Sequence, residues 1–161
     1  MKEIKYRGKA IMPIEELNEM GFEHDNGWVV GNLIQNENEP WIVGDIVESD
    51  PEYIAHEFWV RVHLDSVGQY TGLKDDNGKG IYENDITYFG SAYCIVRFGE
   101  HGVPSIEDME YVDMATGFYL EPQETIEPFN MTVPLNERYA KDLVVIGNIF
   151  EHSHLLEQLH D

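Results

Sequence analysis

The dipeptide Asn77-Gly78, set between two runs of apolar and β-branched residues, constrains this chain more than any other feature. Asparagine and glycine tolerate the two positive-φ positions of a type I′ turn, and that turn matches the right-handed twist of paired strands. The stretch from Val67 to Thr87, Val-Gly-Gln-Tyr-Thr-Gly-Leu-Lys-Asp-Asp-Asn-Gly-Lys-Gly-Ile-Tyr-Glu-Asn-Asp-Ile-Thr, therefore predicts a β-hairpin with Asn77 and Gly78 at its bend.

Other segments read the same way. Ile4 to Ala10 alternates as a half-buried strand does, with Lys5, Arg7 and Lys9 on one face. Ile14, Leu17 and Met20 follow Pro13 at helical spacing, with acids in the first turn and Gly21 as the stop. Trp28–Ile34 and Trp41–Val47 form an expected antiparallel pair, and Phe58, Val60, Val62 and Leu64 line one face of a further strand. Asp85–Phe89 leads through Gly90-Ser91 into Ala92–Phe98, and Gly99 to Gly102 is expected to close a second hairpin. Between Val103 and Ala140 only Gly117–Leu120 reads as strand, because Pro104, Pro122, Pro128 and Pro134 limit regular structure. Leu143–Phe150 is apolar enough for a central strand, and Ser153 is placed to cap a helix running to Leu159.

The predicted fold is mainly β with a minor helical part. Residues 1–66 form a β-rich region, and residues 67–161 form a small SH3-like barrel carrying the acidic insertion. Helices lie near 14–20 and 153–159. A chain of 161 residues also suits a single unit.

Charge narrows the partners. Thirty-one acidic against ten basic residues give a net charge of −21, which repels a phosphate backbone and argues against nucleic acid. Four of the ten cations (Lys2, Lys5, Arg7, Lys9) lie in the first nine residues, and none lies between Arg97 and Arg138, where nine carboxylates occur. Glu107, Asp108, Glu110 and Asp113 are the densest group of these and form a candidate face for a basic protein. Trp41, behind Pro40 at a loop exit, is the candidate exposed aromatic anchor, whereas Trp28 and Trp59 read as core. No run of 18 apolar residues occurs and the first residues lack a signal segment, so a cytoplasmic protein with no membrane part is expected. Cys94 stands alone in an apolar run and reads as a buried, inert thiol. Many short strands with edges to protect also predict a homo-oligomer.

The central block resembles the signature of the YopX family on Gly68, Tyr70, Thr71, Gly72, Leu73, Asp75, Asn77, Gly78, Ile81, Tyr82, Asp85 and Ile86. The resemblance extends to Ile4–Lys9, to Trp28–Ile34 and to the ending Ile146, Gly147, Asn148 and Ile149. It implies a mostly β protein encoded by phages or prophages of Gram-positive bacteria, with no established activity, and it transfers no catalytic residue. Relatives usually read Tyr-Glu-Gly-Asp where this chain has Tyr82-Glu83-Asn84-Asp85. Asparagine tolerates positive φ, so the tight turn is expected to survive.

No site chemistry is legible. Gly72 and Gly78 enclose five residues rather than the four of a phosphate loop, and Lys79 is followed by Gly80 instead of Ser or Thr. Setting Gly78 at position six of a calcium loop puts Leu73 at one and Asn84 at twelve, where carboxylates are required. His152, His154 and His160 have poor zinc spacing, since residues two apart on a helix diverge by roughly 200°. His63 falls on the face opposite Val60 and Val62. Glu83 and Asp85 beside Tyr82 could be drawn as an acid/base pair, but hairpin positioning accounts for them. The expectation is a non-enzymatic module without cofactor or metal, acting through protein contact. The alternative is nucleic-acid binding through the basic N-terminal strand.

Overall fold

A computed structural model describes residues 3–105, 107–124 and 130–157. Pro128, the last two residues of the expected terminal helix (Gln158, Leu159) and His160 lie outside them. The chain divides into two compact units, Met1–Tyr70 and Thr71–Asp161, so the division falls inside a strand rather than at Val67.

The first unit holds β1 (Tyr6–Lys9), α1 (Ile14–Met20), β2 (Trp28–Ile34), β3 (Trp41–Val43), β4 (Ile46–Ser49), β5 (Ile54–His56), β6 (Trp59–Arg61) and the first half of β7 (Gly68–Lys74). Its main sheet runs β6-β3-β2-β1-β7, with antiparallel pairing at each step. One face carries the core of Val29, Ile42, Phe58, Val60 and Val62, against which α1 buries Leu17. Gly21 ends α1 at φ +73, where its N–H bonds the Asn18 carbonyl. Strand β3 is shorter than expected: the chain turns away at Gly44, and β4 pairs with β5 as a separate ribbon.

The second unit holds the rest of β7, then β8 (Gly80–Tyr82), β9 (Asp85–Phe89), β10 (Ala92–Pro104), β11 (Tyr111–Pro122), β12 (Val133–Pro134), α2 (Glu137–Ala140), β13 (Leu143–Asn148), α3 (Ile149–His152) and α4 (His154–Glu157). The mainly β expectation holds. The SH3-like barrel does not: the sheet is open, in the order β12-β11-β10-β9-β13, and among the described residues its outer strands do not pair with each other. Closure needs strands of matched length and stagger. Here β10 and β11 have 13 and 12 residues, whereas β9, β12 and β13 have 5, 2 and 6, so the long pair runs beyond its neighbours.

Gly99 to Gly102 is not a turn. Strand β10 continues through it, and Gly99 sits directly opposite Gly117, at φ +153 and +154, so the glycines bend the ladder without reversing it. The prolines that obscured β11 sit at the ladder's ends: Pro122 at Cys94 and Pro104 at Tyr111, beside a bulge. Strand β13 is an edge rather than a central strand, with its outer side covered by the turn described below. Its core partners are Ile81, Cys94, Val96, Leu120 and Ala140. The strand expected to reach Phe150 stops at Asn148, where α3 begins; Ser153, expected to cap the terminal helix at its start, instead ends α3, and the expected helix follows as α4.

Candidate functional site

The central and terminal signatures meet inside the second unit, and their chemistry is structural. The bend at Asn77-Gly78 is not type I′: of the two residues only Gly78 has positive φ, at +79. Asp75, 6% exposed, decides this. Its Oδ1 accepts from the N–H groups of Asn77 (2.9 Å) and Lys79 (2.8 Å), which folds the loop as an Asx turn with glycine at the bulge. Its Oδ2 accepts from the Val145 N–H at 2.9 Å, and the Asp76 N–H reaches the Leu143 carbonyl. One carboxylate thus satisfies three backbone donors and closes the open edge of β13.

Nine residues beyond Asp75, the same two signatures join again. Asn84 takes φ +73, as the tight turn requires, and donates its N–H to Val96 while accepting from Ile149 N–H. Asp85, fully buried and paired with Asn148, accepts from the Tyr82 N–H at 2.8 Å. Asn148 caps α3 by accepting from Glu151 N–H, and its own N–H donates to His152 Nδ1 at 3.1 Å. Gly147 is required there because a Cβ would stand 2.7 Å from the His152 ring. The acid/base pairing drawn for Glu83 and Asp85 is replaced by this turn, in which Asp85 has no exposed surface for a substrate.

The surface fit for contact lies on the long hairpin of β10 and β11. One row of its side chains begins in the core as Val96 opposite Leu120, then continues outward as Phe98 opposite Phe118, the exposed polar pair Glu100 and Thr116, and Gly102 opposite Met114. The two phenylalanine rings meet edge to face at 5.0 Å, yet Phe98 is 55% and Met114 56% exposed. The turn beyond carries exposed Glu107, Asp108 and Glu110, with exposed Asp113 beside Met114. Three of the four acids chosen from sequence, Glu107, Asp108 and Glu110, therefore stand beyond the end of a largely apolar row that sequence reading missed, and Asp113 lies on the opposite face of β11. The period-two pattern Val96-Phe98 and Met114-Thr116-Phe118-Leu120 carried the signal, masked by the glycines and prolines.

The tryptophan assignments change places. Phe58, Val60 and Val62 are buried, so strand alternation puts Trp59 on the opposite face, where it is 45% exposed. Trp41 is half-buried, edge-on to Trp59 at 6.2 Å and under the Arg61 guanidinium at 5.2 Å. That same face of the first unit carries Lys5 over Tyr70 (4.6 Å), and Arg7 and Lys9 over Trp28 (5.0 and 5.8 Å). The β4–β5 ribbon exposes Ile46, Val47, Tyr53 and Ile54; Glu48 accepts from the Tyr53 hydroxyl, which raises that phenol above its ordinary 10.0.

Cys94 is buried, and desolvation, with the Glu124 charge adding, pushes its thiol up to about 12. The His152 and His154 rings lie 6.2 Å apart across the junction of α3 and α4. Among the described residues no three His, Cys, Asp or Glu side chains converge as a metal site. Nor, among them, is any helix long and apolar enough to cross a membrane.

No curated protein matches the chain. A family model described as YopX protein matches residues 45–157, which spans β4 to α4 and takes in both signatures; Ile4–Lys9 and Trp28–Ile34 lie outside the match. With most of its length matched, the chain belongs to the YopX family.

Proposed function

We propose that this chain is a non-enzymatic accessory protein of a phage or prophage, acting in the host cytoplasm by binding a basic protein through the β10–β11 hairpin. The observation that carries the reading is that exposed Phe98 and Met114 share a row of the hairpin with Phe118 and with the acidic Glu100, and that exposed Glu107, Asp108 and Glu110 follow in the turn beyond, with exposed Asp113 on the opposite face. An apolar strip supplies contact area, and a group of like charges selects a partner of opposite sign. The net charge of −21 steers the same choice over longer range. Further copies of the chain are also proposed as partners, meeting at open strand edges.

The test is affinity capture from host lysate with the wild-type chain and with Met114→Lys, which places a repelling charge on the apolar row. Capture of basic protein by the wild type and its loss in the variant, with unchanged circular dichroism, supports the reading. Equal capture by both contradicts it.

A second reading has its own observation. Lys5, Arg7, Lys9 and Arg61, four of the ten cations, share one sheet face and each lies over an aromatic ring. Basic strands with aromatic platforms bind single-stranded nucleic acid. It ranks second because Tyr70 is 5% exposed and the global charge opposes phosphate. A gel shift at low salt decides it: retardation abolished by Arg7→Ala supports nucleic-acid binding, and no retardation ends it.

A further inference from the structure

The first unit contains a cleft of about 380 Å³ lined by Glu23, His24, Asp25, Trp28, Val30 and Phe58. Its origin is a turn that sequence reading passed over. Asn26 and Gly27 take φ +50 and +89, and Asp25 and Trp28 exchange both backbone hydrogen bonds at 2.9 Å, so a type I′ turn lies here. The bridge stops after that pair. Strand β2 is matched by β1 over Trp28–Gly31 and by β3 over Asn32–Ile34, so among the described residues no strand pairs with the edge away from β1 at Val30, beyond the single bridge at Trp28. The cleft sits beside that open edge.

Its lining has a definite chemistry. Glu23 and Asp25 are exposed carboxylates, and among the described residues neither takes a cation or a hydrogen-bond donor on its side chain. Both ring nitrogens of His24 are engaged within the chain, Nδ1 accepting from the Gly27 N–H at 3.0 Å and Nε2 lying 2.7 Å from Asn18 Oδ1. The Trp28 indole already holds the chain's own Arg7 and Lys9 near its ring, which marks it as a surface that receives cations. Two carboxylates beside an indole and a phenyl ring complement a planar or extended cation with an apolar stem. A volume of 380 Å³ lies near the lower end of the roughly 300–1,000 Å³ of ligand sites, so one long side chain suits it better than a cofactor.

We propose that this cleft receives the arginine side chain of a basic partner segment laid along the open edge of β2. The proposal rests on the reading of the partner as basic, but not on the hairpin of the second unit. The guanidinium sits between Glu23 and Asp25, and the aliphatic stem lies against Trp28 and Phe58. The segment's backbone then meets the edge at Val30, as in strand addition.

The test is a nuclear magnetic resonance titration of the labelled full chain with an end-blocked Gly-Arg-Gly peptide and with its neutral citrulline counterpart. Saturable shifts at the Trp28 indole N–H and the Val30 amide are expected with arginine alone. Affinity should fall at least about tenfold in Glu23→Gln/Asp25→Asn, whose exposed carboxylates make no contact that the fold uses. Equal shifts with citrulline, unchanged affinity in the double variant, or no shift at millimolar arginine peptide would each overturn it. Hairpin capture is measured separately with Met114→Lys, so failure of the cleft leaves that result standing, and the reverse also holds.

Discussion

At the scale of the residue, Asp75 does what the whole signature requires. Replacing it with asparagine keeps one oxygen for the loop but turns an amide N–H₂ toward the Val145 N–H, so two donors face each other in a buried place. Asp75→Asn should lose about 2 kcal/mol of stability by urea unfolding, against within about 0.5 kcal/mol for Asp76→Asn, whose role runs through its backbone. Cys94 gives a second test. Its folded thiol ionises at about 12 against an ordinary 9.0, so the native state holds a proton that the unfolded chain releases. The contribution is intact below pH 9 and is lost as pH rises toward 12, at a slope of up to about 1.4 kcal/mol per pH unit. Cys94→Ala should remove that part of the slope in pH-dependent unfolding curves; identical slopes would show that the thiol is not held protonated.

At the scale of the element, the two Asn-Gly pairs show what a dipeptide specifies and what it leaves to its surroundings. Asn26-Gly27 adopts the type I′ turn, and Asn77-Gly78 does not, because Asp75 captures two N–H groups and draws the loop into a different geometry. Both pairs mark a bend; only the neighbouring carboxylate tells them apart. Asn26→Gly should therefore be neutral or slightly stabilising, since Asn26 sits at positive φ, whereas Asn77→Gly should cost about 0.5–1 kcal/mol in backbone entropy. Thermal unfolding of the two variants checks it, and equal shifts would contradict the assigned turns. Much else was legible at this scale. The helix ending at Gly21 followed from spacing and a stop residue, and burial of Phe58, Val60 and Val62 followed from alternation, whereas Leu64, expected on the same face, is exposed because the strand has given way to a 3-10 turn at Leu64–Ser66. The same alternation already placed Trp59 on the outer face, so reading it as core gave ring size priority over period. The long hairpin stayed hidden because a proline at a strand end looks in sequence like one that interrupts a strand.

At the scale of the whole molecule, the signatures and the contact surface are different things. The residues on which the resemblance rests hold β13 to the β7–β8 turn and the β8–β9 turn, and the Asp75 and Asp85 carboxylates accept from backbone donors. The hairpin beyond them carries the exposed apolar and acidic side chains. Sequence showed the acids, through composition alone, but not the row before them, because that row depends on a pairing across β10 and β11 that only the fold reveals. The most direct test is a comparison of captured host proteins between the wild type, Met114→Lys and Asp75→Asn at a temperature where all three are folded. The account predicts that Met114→Lys loses the basic partner while Asp75→Asn, though less stable, retains it. Retention by Met114→Lys together with loss in Asp75→Asn would place recognition in the signature and contradict the account.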